Sequence, residues 1–244
     1  MITDILTSIT EQAQQHPDTV AFDYLGKRNT YHELDLWSNR VANFLKSPDN
    51  APIMVYGGQT FDMLVAFIGI TKSGRAYIPV DNNSSAERVQ AIIQTARPSL
   101  IIAVEDLPFE IDCEVITLTY FKEICTEFPS TKSEDKLPLT HNFYVIFTSG
   151  TTGTPKGVQI THQNLVSFIN WMNTTFDFKQ RVTLLQPAFS FDLSVMAIYP
   201  TLINGGTLKV LPKSVTDNFV NLFKLLPTLN IENWVSTPSL IDIC

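Results

Sequence analysis

An α/β fold with parallel and mixed sheets flanked by helices is predicted by three observations. Short apolar runs of strand length recur along the chain. Segments of helical periodicity, ten or more residues long, separate most of them, which implies parallel pairing and a sheet covered on both faces. Two pairs of runs are instead joined by short glycine-bearing connections, and these add antiparallel pairs. A chain of 244 residues suggests one large domain or two modest ones. At this size roughly 70–75% of the unfolded surface is buried on folding, so a sizeable core is expected.

Ile2, Ile5, Leu6, Ile9 and Ala13 recur at helical spacing, so the chain opens with an amphipathic helix. Alternating stretches at Val20–Tyr24 and Asn29–Tyr31 follow, with Gly26-Lys27 expected as the turn between two strands. Leu34, Trp37, Val41 and Leu45 mark a second helix; Ile53–Tyr56 reads as a buried strand. Phe61, Leu64, Val65 and Ile68 give a third helix, and Tyr77–Val80 the next strand. Ser84 with Glu87 has the spacing of a capping box for a helix carrying Val89, Ile92 and Ile93. Leu100–Val104 is a strand again. The polar, proline-bearing stretch 126–140 is the expected surface loop, and Phe143–Phe147 and Lys156–Ile160 are strands. A helix then starts near Thr161, with Leu165, Phe168, Ile169 and Met172 on one face. Near the end, Trp234–Val235 closes a strand, Thr237 suits an N-cap and Pro238 the first helical position. Leu240, Ile241 and Cys244 begin an apolar helical face there, which ends within about two turns and suggests the N-terminal piece of a longer protein.

Hydrophobic residues make up 44% and charged residues 17%, which excludes a disordered chain. The net charge of −7 argues against a nucleic-acid partner, which would call for a basic stripe. Three cysteines without a close pair, and an N-terminus lacking a basic flank and apolar stretch, point to a reducing, cytoplasmic setting. No apolar run approaches the 18 residues of a membrane helix, so no membrane insertion is expected. His16, His32, His141 and His162 are too scattered for a metal cluster and read as surface or capping residues; no metal ligand set is found. The cysteines read as packed thiols, because no basic surroundings that would activate a thiolate are visible.

The most informative stretch is TSGTTGTPKG, residues 148–157. Five of the seven residues from Thr148 to Thr154 carry a hydroxyl, and three of the ten glycines fall between Gly150 and Gly157. Glycines let backbone N–H groups converge on an anion; Thr148, Ser149, Thr151 and Thr152 add hydroxyl donors, and Lys156 adds a mobile charge. A Walker loop would require a glycine at Pro155, a serine or threonine at Gly157 and a helix directly after the lysine. Here a strand follows Lys156. The alternatives are therefore a plain hairpin turn with an exposed lysine, or a phosphate loop that does not rely on a helix dipole.

TSGTTGTPKGV resembles the phosphate-binding motif of the adenylate-forming superfamily of acyl-CoA synthetases, luciferases and adenylation domains. TYHEL (Thr30–Leu34), TKSGRAYIPVD (Thr71–Asp81) and FDLS (Phe191–Ser194) resemble further motifs of that superfamily, in its order. The resemblance covers essentially the whole chain. It implies the N-terminal part of the large domain of an adenylate-forming enzyme over residues 1–244, with the C-terminal half and small lid domain absent. It implies ATP and Mg2+ as cofactors, ATP contacts from Thr148, Ser149, Gly150, Thr151, Thr152, Gly153 and Lys156, and a catalytic role for Lys156. The magnesium-binding glutamate and ribose-binding aspartate of the family would lie beyond residue 244, so the chain alone is expected to be inactive.

Local sequence makes Asp192 an ordinary helix cap. The resemblance implies instead that its carboxylate pairs with a substrate ammonium, which would favour an amino acid over a fatty or aryl acid. FSFDLSVMAIYP with GGTL (Gly205–Leu208) and WVSTPS (Trp234–Ser239) resembles the members that activate D-alanine and load it onto the phosphopantetheine of a D-alanyl carrier protein for teichoic acid D-alanylation. Met196 would then line the side-chain pocket, or simply fill the core; Phe191 would gate the acyl site, or be a core phenylalanine. A monomer is expected. The runners-up are a peptide-synthetase adenylation domain and a non-catalytic nucleotide- or carrier-binding module.

Overall fold

The structure, a computed structural model, describes residues 1–131, 137–149 and 155–243. Two compact units divide the chain: residues 1–35 with 166–244, and residues 36–165.

The first unit opens with α1 (Ile5–Gln15), whose Asp4 cap accepts from the Thr7 amide at 2.6 Å. Ile5, Leu6, Ile9 and Ala13 form its buried stripe, as the spacing predicts. The hairpin β1 (Val20–Tyr24) and β2 (Lys27–Thr30) turns at Leu25-Gly26, one residue earlier than expected. Both turn residues have positive φ, 51° and 93°, and the Asp23 carboxylate accepts from the Gly26 amide, fixing that register. Tyr31 opens α2 (Tyr31–Phe44) instead of extending the strand. The TYHEL motif explains why: Thr30 and Glu33 form a reciprocal capping box, with the Glu33 carboxylate accepting from the Thr30 amide at 2.7 Å and Thr30 Oγ1 from the Glu33 amide at 3.2 Å.

In the second unit, β3 (Ile53–Gly57), α3 (Phe61–Lys72), β4 (Tyr77–Asp81), α4 (Ala86–Ala96) and β5 (Leu100–Ala103) alternate as the periodicity predicts. The cap of α4 is Ser85 and not Ser84; its hydroxyl accepts from the Arg88 amide. Two elements absent from the sequence reading follow, β6 (Val115–Ile116) and α5 (Leu118–Glu127), and α5 takes up the first two residues of the expected 126–140 loop. β7 (Asn142–Thr148) and β8 (Lys156–Thr161) complete a six-stranded sheet of order β6-β5-β3-β4-β7-β8. All its pairs are parallel except β7–β8. Leaving β3 toward β4 and β4 toward β5 sends the chain in opposite directions across the sheet. Right-handed crossovers then put α3 and α4 on opposite faces. Side chains alternate accordingly: Tyr77 stacks on Phe67 of α3 with ring centroids 4.2 Å apart, whereas Ile78 joins Val89 and Ile92 of α4.

The LIIAV and TKSGRAYIPVD stretches are scaffold. Lys72 is buried and donates to Ser38 Oγ and Asn39 Oδ1, while the Arg75 guanidinium donates to the Ala51 carbonyl and pairs with Asp49. His162 is fully buried, against the surface or capping role expected: its Nδ1 lies 3.1 Å from the Leu137 carbonyl oxygen and its ring packs on Phe143.

α6 (His162–Thr175) carries the chain back to the first unit, where β9 (Val182–Leu185), α7 (Val195–Ile203) and β10 (Thr207–Val210) follow. α8 (Lys213–Thr216), α9 (Phe219–Leu225), β11 (Asn233–Val235) and α10 (Pro238–Ile243) complete it. The five-stranded sheet has order β11-β9-β10-β1-β2, parallel throughout except the hairpin. Leu240 of α10 is buried with Leu184, Leu211, Leu222 and Leu229, Ile241 is exposed, and Cys244 lies outside the described residues. No described helix is long and apolar enough to cross a membrane.

Burial pushes the Cys125 thiol up to about 12, and burial also raises that of the half-buried Cys113. At pH 8, iodoacetamide should therefore modify Cys113 more slowly than a free thiol and should reach Cys125 only on unfolding, as peptide mass mapping of native and denatured chains would read. Alkylation of both at the rate of a free thiol would contradict the packing described.

Candidate functional site

The two sets of residues singled out in the sequence fall in different units. Thr148, Ser149 and Lys156 belong to the second, and Phe191, Asp192 and Met196 to the first.

In the second unit, Phe147 pairs with Gly157 and Thr148 with Lys156 across an antiparallel ladder, so the hydroxyl- and glycine-rich stretch is the connection between two strands. Gly150, Thr151, Thr152 and Gly153 lie outside the described residues. Thr148, Ser149 and Lys156 are exposed at the loop end of the hairpin, while Pro155 is buried. The helix after β8 begins only at His162, where Thr161 and Asn164 cap each other's backbone amides. A Walker arrangement, with a helix N-terminus immediately behind the lysine, is therefore excluded. Gly157 has a packing reason of its own. A Cβ there would sit 3.0 Å from the Phe147 ring and 3.0 Å from Val145, so the bare backbone lets the ring close over the strand.

The same end of this sheet carries the turns after β3, β4 and β5. Glu105 accepts from the Gly58 amide at 3.0 Å and from the Asn82 side chain at 2.6 Å, and Asp81 accepts from the Asn83 amide at 2.8 Å. Parallel sheets present ligand sites at the carboxyl ends of their strands, which is where the loop after β7 emerges. A groove of about 590 Å³ runs along the hairpin, lined by Ile78, Ala96, Asn142, Val145, Phe147 and Gln159 among others. Its lining includes none of Thr148, Ser149 and Lys156, so it is not where that loop would hold an anion. One residue near the loop is not marked by sequence spacing. Arg88, in the first turn of α4, donates from its guanidinium to the Phe147 carbonyl at 2.9 Å.

In the first unit, Asp192–Ser194 form a single 3₁₀ turn that leads into α7. Phe191 occupies the cap position of that turn, so Asp192 is not the ordinary helix cap that local sequence suggests. Its side chain is exposed and makes no hydrogen bond or ion pair among the described residues. Phe191 is 63% exposed and is no core residue. Met196 is half-buried on α7, between the buried Val195 and Ala197. What α7 itself rests on is well defined. Tyr31, fully buried, donates its hydroxyl toward the Gly206 carbonyl at 2.8 Å and the Leu202 carbonyl at 3.1 Å, tying the end of α7 and the GGTL turn to α2.

Among the described residues no three His, Cys, Asp or Glu side chains lie close enough together to hold a metal ion.

Comparison with known proteins follows the same lines. The sequence profile described as AMP-binding enzyme matches residues 9–244. The whole chain is 48% identical to the D-alanine–D-alanyl carrier protein ligase of Lacticaseibacillus paracasei and 47% identical to that of Streptococcus pyogenes. It spans 49% of the length of each of these curated relatives. Its fold is similar to that of the nonribosomal peptide synthetase FmoA3, with a TM-score of 0.88 at 22% identity over 99% of this chain and 26% of that one. The Klebsiella oxytoca NpsA N-terminal subdomain matches with a TM-score of 0.81 at 19% identity, over 96% of this chain and 59% of that one.

Proposed function

Because the chain belongs to the AMP-binding enzyme family, we propose that it supplies the phosphate loop and part of the amino-acid site of an enzyme that activates D-alanine with ATP and passes it to the phosphopantetheine thiol of a carrier protein. The observation that carries this reading is the strand–loop–strand hairpin with Lys156 exposed at its mouth, on a chain nearly half identical to D-alanine–D-alanyl carrier protein ligases.

The chemistry follows from the substrates. An amino-acid carboxylate is ionised at neutral pH and is itself the nucleophile. Its oxygen bonds to the α-phosphorus of ATP as the bond to pyrophosphate breaks, leaving an aminoacyl-adenylate. The carrier thiol, losing its proton, then bonds to the acyl carbon, and AMP leaves. No Ser-His-Asp triad is needed; the obstacle is bringing one anion up to another, so positioning and positive charge carry the catalysis. In this reading Thr148 and Ser149 donate hydrogen bonds to phosphate oxygens and Lys156 offsets their charge. Asp192, exposed and without a partner among the described residues, is available to the substrate ammonium. A magnesium ion would add charge neutralisation at the phosphates; among the described residues no three His, Cys, Asp or Glu side chains gather to hold one.

Calorimetry of this chain with a non-hydrolysable D-alanyl-adenylate mimic and its L-isomer tests the reading. The D-isomer is expected to bind in preference, and Asp192→Ala to weaken it roughly 10- to 100-fold, the loss of one charge-assisted pair. Equal binding of both isomers, indifferent to Asp192, would sink the amino-acid assignment.

A further inference from the structure

We propose that Arg88 is a positioning residue for the phosphate loop, anchoring the C-terminal end of β7 and placing a guanidinium beside Thr148 and Ser149. This rests on the nucleotide reading given above for the role of the charge, but not for the anchoring itself.

The geometry begins with β7. It pairs with β4 at Tyr77–Tyr144, and that register does not continue to the end of the strand. On its other side it stays paired with β8 as far as Thr148–Lys156. Three residues beyond Tyr144, the Phe147 carbonyl accepts a hydrogen bond from the Arg88 guanidinium at 2.9 Å. A bond from a charged donor to a partly buried backbone carbonyl is worth more than a surface ion pair.

Arg88 is in turn held in place. It stands third in α4, and its own amide donates to the capping Ser85 hydroxyl. The next residue, Val89, is fully buried in the same cluster as the Phe147 ring. Phe147 is thus fixed twice, by its ring against α4 and Gly157 and by its carbonyl on Arg88. Thr148 and Ser149 follow directly, so the backbone that leads into them is held at Phe147.

The choice of arginine has a chemical reason. A guanidinium carries five N–H donors in a rigid plane and stays protonated, so bonding one carbonyl leaves donors and charge for an anion nearby. Asp81 and Glu105 stand at this end of the sheet as well, and a cation at the loop offsets them where a polyphosphate approaches. Glu105 is already engaged by Gly58 and Asn82.

Three variants test this on the chain as it stands: Arg88→Met, which keeps the length but loses donor and charge, Arg88→Gln, which loses the charge, and Arg88→Lys, which keeps it. Hydrogen exchange read by mass spectrometry should show the amides of Thr148, Ser149 and Gly157 exchanging about tenfold faster in Arg88→Met, with those of β3 unchanged and with Arg88→Lys restoring part of the protection. In parallel, the affinity for AMPPNP should fall about tenfold in Arg88→Met and less than threefold in Arg88→Lys, while the affinity for AMP moves less than twofold. A general structural defect would move both ligands together. Wild-type exchange rates at Thr148 and Ser149 in Arg88→Met would overturn the proposal. Should that variant fail to fold, the same comparison is made on Arg88→Gln. A wild-type chain that binds no AMPPNP would instead count against the nucleotide reading, and the exchange measurement would still decide the anchoring.

Discussion

Lys156→Ala is expected to weaken binding of a non-hydrolysable ATP analogue to this chain about thirtyfold while leaving its thermal unfolding midpoint unchanged. Both halves of that result follow from where the residue sits. Lys156 is the first residue of β8 and is exposed, so its side chain contributes nothing to the core. Its backbone pairs with Thr148, and alanine keeps that pairing. What is lost is one charge-assisted bond to phosphate, worth about 2 kcal/mol. Lys156→Arg should recover part of the affinity, since it keeps the charge and changes the geometry. The remaining affinity of the wild-type chain should also fall with added salt, because an exposed cation is screened. Isothermal titration at two ionic strengths measures all of this. An unchanged affinity in Lys156→Ala would remove the lysine from the phosphate site.

Tyr31 should behave in the opposite way, with a large effect on stability and none on charge at the loop. Tyr31→Ala is expected to cost about 3–5 kcal/mol, the usual range for deleting a fully buried aromatic ring, which is a large part of the stability of an ordinary domain. Tyr31→Phe keeps the ring and removes only the hydroxyl that caps the Leu202 and Gly206 carbonyls, so it should cost about 1–3 kcal/mol. The same burial raises the pKa of the Tyr31 phenol far above its ordinary value. The sign is then fixed. Below about pH 10, where an unfolded tyrosine is still protonated, the stability linked to this group is fully present. Above it the unfolded chain loses a proton that the folded chain keeps, and stability falls by up to about 1.4 kcal/mol per pH unit. Chemical denaturation between pH 8 and 11 should show that decline in the wild type and a shallower one in Tyr31→Phe. Identical slopes would mean that Tyr31 is not held protonated in the folded chain.

These two residues also mark what could be read without a structure. The TYHEL stretch stands out as a family motif, yet its content is local and physical, a capping box followed by a buried ring. Thr30 and Glu33 have the spacing of a capping box, but the alternation of Asn29–Tyr31 reads as strand and hides it. That the Tyr31 hydroxyl reaches carbonyls about 170 residues further on is not legible in the sequence. The elements missed, β6 and α5, lie beside a polar stretch that looks like linker. β6 is two residues long, too short for any alternation, although Phe121, Ile124 and Cys125 do have helical spacing after the Thr117 cap. The one-residue offsets at Leu25-Gly26 and Ser85 have a common cause. Two adjacent residues could each serve, and a local side chain–backbone bond marks the one used, the Asp23 carboxylate on the Gly26 amide in one case and the Ser85 hydroxyl on the Arg88 amide in the other.

By itself the sequence determined the α/β class, the strand on each side of the loop, the absence of a Walker helix behind Lys156, and the chemistry of a hydroxyl- and glycine-rich turn closed by a lysine. These are properties of neighbouring residues, fixed by backbone periodicity and by the donors a short segment can present. Only the tertiary structure decided that His162 is buried, that Asp192 opens a 3₁₀ turn instead of capping a helix, that Tyr31 seals the end of α7, and that Arg88 holds the carbonyl in front of the loop. For His162, Tyr31 and Arg88 the deciding partner is distant in sequence, whereas the turn at Asp192 is closed by its own neighbours, Ser194 bonding back to Phe191. Periodicity says which face of an element is buried, but the identity of the group waiting on the other side is set by how the sheet orders its strands.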